Sequence, residues 1–107
     1  LESIRKKPLR APLIIITIAK LVAHPKIPEI ELRLSAASAT QNMLLAAFAL
    51  GVGAMWRTGS MAYSPTVSAG LGLEIHEKIV GFLYLGTTQG PQKAPREHSI
   101  DEFFREW

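Results

Sequence analysis

The stretch Gly53-Ala54-Met55-Trp56-Arg57-Thr58-Gly59 brings an aromatic plane, a guanidinium, a hydroxyl and two glycines together within a few residues. That combination can recognise a flat, anionic small molecule. A ring walls a planar heterocycle, a guanidinium bonds a carbonyl or phosphate oxygen, and glycine lets the backbone come near. The same residue types also suit a structural reading, with Trp56 in the core and Arg57 a solvated charge, and the pattern alone leaves both open.

Other chemistries are excluded residue by residue. The chain has no cysteine, which removes disulfides, thiolate metal sites and a thiol nucleophile. Gly51-Val52-Gly53 and Gly70-Leu71-Gly72 are followed by Trp56 and Ile75 where a dinucleotide fingerprint needs another glycine. His76-Glu77 opens like a zinc-protease helix, but Val80 occupies the place of the second histidine. His24, His76 and His98 share no spacing and are expected to be solvated, so no metal site is expected. No serine stands in a Gly-x-Ser-x-Gly elbow and no carboxylate pair stands out. No catalytic side chain is therefore expected, and any hard chemistry must come from a cofactor.

Composition bounds the rest. The 107 residues are 48% hydrophobic and 20% charged, enough for one domain with a buried core. A net charge of +3 is too mild for a nucleic-acid binder. The cluster Arg5, Lys6, Lys7 and Arg10 lacks interleaved aromatics and reads as a solvated helix end. Between Arg33 and Arg57 no formal charge occurs, yet Ser35, Ser38, Thr40, Gln41 and Asn42 mark a soluble helix rather than a membrane span. No apolar signal region follows Leu1, Glu2 and Ser3, so the expected location is cytoplasmic.

The elements that must position these residues follow from periodicity. Leu13 to Ala19 is apolar on both alternating faces and predicts a central, doubly covered strand. From Glu31 to Leu50 the apolar positions Leu32, Ala36, Ala39, Met43, Ala46 or Ala47 and Leu50 recur every three or four residues, predicting the longest helix. Its first half, Ser35 to Ala39, is uniformly small and admits a close neighbour. Gly51 and Gly53 stop it, Ala54 to Gly59 reads as a short strand, and Ser64-Pro65 caps a short helix. Ile79 to Gly86 is a second doubly apolar strand with Gly81 a site of close packing. Ser99-Ile100-Asp101-Glu102 is a capping box that predicts a final helix carrying Phe103, Phe104 and Trp107.

Five segments in this order make the chain recognisable: Arg10-Ala11-Pro12-Leu13-Ile14-Ile15, Leu34-Ser35-Ala36-Ala37, Gln41 to Ala47, Gly51 to Gly59, and Ile79 to Thr87. Together they resemble the nitroreductase family of flavoproteins, in particular its minimal YdjA-like branch. The resemblance implies an α+β fold with a mixed sheet packed between helices, in homodimers that bind FMN at the subunit interface. It also implies hydride transfer from NAD(P)H by way of FMN to a small-molecule acceptor such as a nitro compound or quinone. By this likeness Trp56, Arg57 and Thr58 match the stretch that contacts FMN. Ala46, Ala47, Phe48, Ala49, Leu50 and Gly51 match one that contacts the nicotinamide nucleotide, although helix packing explains them equally well. Departures accompany the likeness. The family's N-terminal Arg-Arg-Ser motif and the helical region after it have no counterpart, so residues 1–107 are expected to be a single unit, the C-terminal portion of such a domain. Ser38 and Thr88 replace a frequent cysteine and proline, and Arg96 falls in a loosely matching tail. The competing expectation is a non-catalytic dimerisation or interaction half-domain that holds no flavin by itself.

Overall fold

A computed structural model describes residues 2–107. A short helix α1 (Glu2–Lys6) and a 3-10 turn (Lys7–Leu9) lead into strand β1 (Leu13–Lys20) and the long helix α2 (Glu29–Ala49). Strand β2 (Gly53–Arg57), a 3-10 turn (Ser60–Tyr63), helix α3 (Pro65–Gly70) and strand β3 (Glu77–Gly86) follow. The architecture is α+β. The strands lie in the order β1-β3-β2, and both pairings are antiparallel, so the expected mixed sheet is antiparallel throughout among the described residues.

The order corrects one expectation. The doubly apolar run at Leu13–Ala19 predicts a central strand, yet β1 is an edge and β3 is the middle. β3 is the strand with covers on both sides, and Gly81, Phe82 and Leu83 in it are buried. Leu13 on the edge strand is 55% exposed.

Period-2 alternation assigns every strand residue to one face of the sheet. Ile14, Ile16, Phe82 and Tyr84 face the 3-10 turn at Ser60–Tyr63 and α3, where they pack with Met61, Ala62, Val67, Leu73 and Ile79. The opposite face carries Ile15, Thr17, Gly81, Leu83 and Trp56 and is covered by α2. The helix turns Leu32, Ala36, Ala37, Thr40, Met43, Leu44 and Ala47 inward. The predicted stripe is therefore right at Leu32, Ala36, Met43 and Ala47. It errs at Ala39 and Leu50, which are exposed, and it misses Thr40, which is fully buried. A purely apolar template overlooks a threonine whose hydroxyl is satisfied. Thr40 Oγ1 donates to Thr17 Oγ1 at 3.0 Å and lies 2.9 Å from the Ala36 carbonyl.

Helix ends follow capping rules. Glu29 and Glu31 sit in the first turn of α2, where carboxylates complement the helix dipole. At the other end Val52 N–H reaches the Ala47 carbonyl at 2.9 Å and Gly51 N–H the Phe48 carbonyl at 3.0 Å. This is a Schellman cap, and it requires the positive φ of 74° that Gly51 adopts. Ser64 caps α3 as expected, its side chain accepting from Val67 N–H at 3.4 Å.

The predicted terminal helix does not form. Only a 3-10 turn at Ile100–Glu102 appears, and Ser99 makes no side-chain cap bond. Ile100, Phe103 and Phe104 are exposed, so the segment buries no apolar face that would hold a helix together. The outer face of α2 is likewise uncovered at Ile30, Leu34, Leu45 and Phe48. The radius of gyration is accordingly 17.0 Å, against about 13 Å for a compact chain of this length.

Candidate functional site

β2 delivers the candidate residues, and its alternation divides them. Met55 and Arg57 stand on the α3 side of the sheet, opposite Tyr84 and Phe82 of β3. Trp56, opposite Leu83, stands on the α2 side. The adjacent residues Trp56 and Arg57 are thus separated by the sheet itself.

Arg57 opens onto a cleft of about 470 Å³ bordered by residues 55–61 together with Lys7, Phe82 and Tyr84. That volume lies within the range of small-molecule sites. Arg57 is exposed, and its one side-chain contact is a weak approach of Nη1 to Met55 Sδ at 3.9 Å. Among the described residues it makes no ion pair. Thr58 and Ser60 contribute hydroxyls to the same cleft. Gly59, between them, holds φ 76° and ψ −171°, a backbone region open essentially to glycine alone. Among the described residues, neither a carboxylate nor a histidine borders the cleft.

Lys7 and Ser60 are cleft residues that sequence reasoning misses. The cluster from Arg5 to Arg10 reads as a solvated helix end, which holds for Arg5, Lys6 and Arg10, all exposed. Lys7 differs in being half-buried against the Arg57 cleft. The signal in the sequence is Pro8, which breaks the helix at Lys7 and turns the chain towards the sheet.

The second candidate stretch lies elsewhere. Ala46 to Gly51 form the last turn and cap of α2, at the Gly53 end of β2. That end is four residues from Arg57, or about 13 Å along an extended strand. Ala47 packs inward, and Leu50 is 80% exposed. Phe48 and Gly51 border a smaller cleft of about 280 Å³ with Leu44, Gly53, Thr88 and Gln92. The two stretches do not share one cavity in the described chain.

Glu74, His76 and Glu77 place ligand-type atoms within 4.8 Å of one another, a juxtaposition the broken zinc motif does not suggest. It closes the turn before β3. Glu77 Oε1 accepts from Glu74 N–H at 3.0 Å, and His76 Nε2 lies 3.4 Å from Glu74 Oε2. Among the described residues no helix is long and apolar enough to cross a membrane.

Comparison with known proteins places this architecture. A crystal structure of a nitroreductase-like family protein from Bacillus cereus superposes with a TM-score of 0.82 at 24% identity, covering 97% of this chain and 55% of that one. It shows the fold. The family model described as "Nitroreductase family" matches residues 2–87, and the chain belongs to that family. Among curated relatives, "Putative NAD(P)H nitroreductase YdjA" of Escherichia coli K12 is 45% identical over 89 residues, covering 83% of this chain and 49% of its own length. A similarly described protein of Haemophilus influenzae is 33% identical over 89 residues, covering 82% of this chain and 47% of its own. The chain spans about half the length of the curated relatives it matches.

Proposed function

We propose that this chain forms part of an FMN-dependent oxidoreductase that draws on NAD(P)H and reduces a nitro compound, quinone or similar small acceptor. The observation that carries the reading is the donor set of the Arg57 cleft, in a chain of the nitroreductase family. A guanidinium, an ammonium and two hydroxyls around a glycine turn fit the anionic and carbonyl oxygens of a phosphorylated flavin. Met55, Phe82 and Tyr84 add apolar wall, so the residues present fit one side of the group.

When bound, FMN supplies the hydride chemistry that no side chain here can perform. Arg57 and Lys7 hold negative charge in the cleft, Thr58 and Ser60 orient oxygens by hydrogen bonds, and Gly59 turns the backbone between them. Neither an acid nor a histidine base is needed beside them, because the protein's share of such a reaction is positioning. Ala46 to Gly51 are offered as the nicotinamide-side stretch on the strength of the family likeness. The uncovered apolar outer face of α2, with Leu34, Leu45 and Phe48 exposed, supports a homodimer. The same face also favours the second reading, a non-catalytic interaction half-domain.

A visible absorption spectrum of the purified chain with and without FMN, followed by NADH under anaerobic conditions, separates the two. Retained flavin absorbance that bleaches on NADH is the expected outcome. A folded, colourless protein that takes up no FMN would overturn the proposal for this chain and leave the interaction module.

A further inference from the structure

Trp56 borders the cleft, yet by strand alternation it stands on the α2 side of the sheet. Its indole lies over Gly81 of the central strand, and its Nε1–H donates to the Val80 carbonyl at 3.4 Å. Val80 is the extra residue of a β-bulge. β1 pairs Thr17 with Gly81 and then Ile18 with Ile79, passing over Val80. A bulge leaves one residue outside the ladder, and the indole N–H bonds to the carbonyl of that residue.

Gly81 is what makes the seat. A Cβ there would overlap Trp56 Nε1 and lie 2.5 Å from Cδ1 and 3.1 Å from Cε2 of the same ring. From the other neighbouring strand, Thr17 Oγ1 donates to the Gly81 carbonyl at 3.4 Å. The middle strand is therefore gripped from both sides at one glycine.

The grip sits where it controls the cleft. The β2–β3 ladder ends at the pair Arg57–Phe82, after which Thr58 and Gly59 leave the sheet. Trp56 is the penultimate residue of β2 before that exit, and its ring reaches beyond its cross-strand neighbour Leu83 to the bulge. We infer that Trp56, seated on Gly81 and tied to the bulge carbonyl of Val80, is a positioning residue that sets the direction in which Arg57, Thr58 and Gly59 enter the ligand cleft. The inference rests on the reading of that cleft as an FMN site, and it gives Trp56, which also borders the cleft, a positioning role through its indole.

Two readouts test it: the backbone amide resonances of Arg57, Thr58 and Gly59 in the ligand-free protein, and FMN affinity from flavin fluorescence quenching. Gly81→Ala should shift all three amides and weaken FMN binding about tenfold, as expected when a methyl is forced into a filled site. Trp56→Phe, which keeps a ring and loses the donor, should shift the same amides and weaken binding about threefold. In a Trp56→Ala background, Gly81→Ala should add about twofold or less, because the clash needs the ring. Additive losses, or amides at Arg57–Gly59 that do not move in either variant, would overturn the inference. Should Gly81→Ala fail to fold, the Trp56→Phe amides and affinity decide alone. A wild-type chain that binds no FMN refutes the proposed function, and the amide shifts then still decide whether the clamp exists.

Discussion

On the α2 side of the sheet, Leu83 is 1% exposed, Thr40 is fully buried, and the indole of Trp56 fills the space above Gly81. On the α3 side the packing around Ala62, Ile79 and Phe82 gives way, at the β2 end, to a cleft where Met55 is 56% exposed and Arg57 faces solvent. One face is closed and satisfied, and the other leaves cationic and hydroxyl donors free to meet a ligand. Both are drawn from the same strands by alternate residues. The contrast teaches that strand parity divides side chains offered to the cleft from side chains packed under the helix, even between neighbours: Arg57 faces the cleft, and Trp56 acts on it from the closed side.

The hardest test of that separation is Leu83→Ala. Truncating a fully buried leucine under α2 leaves a cavity and should cost about 2–5 kcal/mol of folding free energy, read as a lowered denaturant midpoint at constant slope. Arg57→Ala should do the reverse. Removing one charged donor from the open face should weaken FMN binding by about 10- to 100-fold, while stability stays within about 0.5 kcal/mol. Arg57→Lys should recover only part of the loss, since an ammonium lacks the planar fork. A large stability loss in Arg57→Ala with unchanged FMN affinity would dissolve the distinction between the faces.

Much of this arrangement is legible in the amino-acid sequence. Strand and helix types follow from the periods at Leu13–Ala19, Glu31–Leu50 and Ile79–Gly86, because local alternation and burial agree there. Strand order is not. Leu13–Ala19 carries apolar residues on both faces, as a middle strand does, yet it sits at the edge in this chain with Leu13 half-exposed. Such a pattern records what a strand can bury, not what this chain offers to cover it. The same limit explains Ile100, Phe103 and Phe104, whose spacing suits a helix but which bury no apolar face. At the site, the residue types of Trp56-Arg57-Thr58 are visible, but their division between two faces is a matter of parity. Lys7 is hidden because only tertiary packing distinguishes it from Arg5 and Lys6.

The smallest predicted effect probes the joint between helix and sheet. Thr40 is the buried polar side chain under α2, and its hydroxyl bridges the helix to Thr17, which in turn reaches the Gly81 carbonyl. Thr40→Val preserves shape but removes the donor, leaving Thr17 one bond short in a dry layer. The expected loss is about 1 kcal/mol, again read from the denaturant midpoint. Removing both hydroxyls should differ in sign of coupling: Thr17→Val with Thr40→Val deletes the polar pair together, and apolar replacement of both partners can be nearly neutral. The double variant should then be more stable than the sum of the single losses predicts. FMN affinity should hold in Thr40→Val, since its hydroxyl contacts Thr17 and the Ala36 carbonyl and neither Trp56 nor a residue of the cleft. A Thr40→Val protein that keeps full stability but loses flavin would show that the helix itself acts on the cleft, through Thr17 and the Gly81 seat.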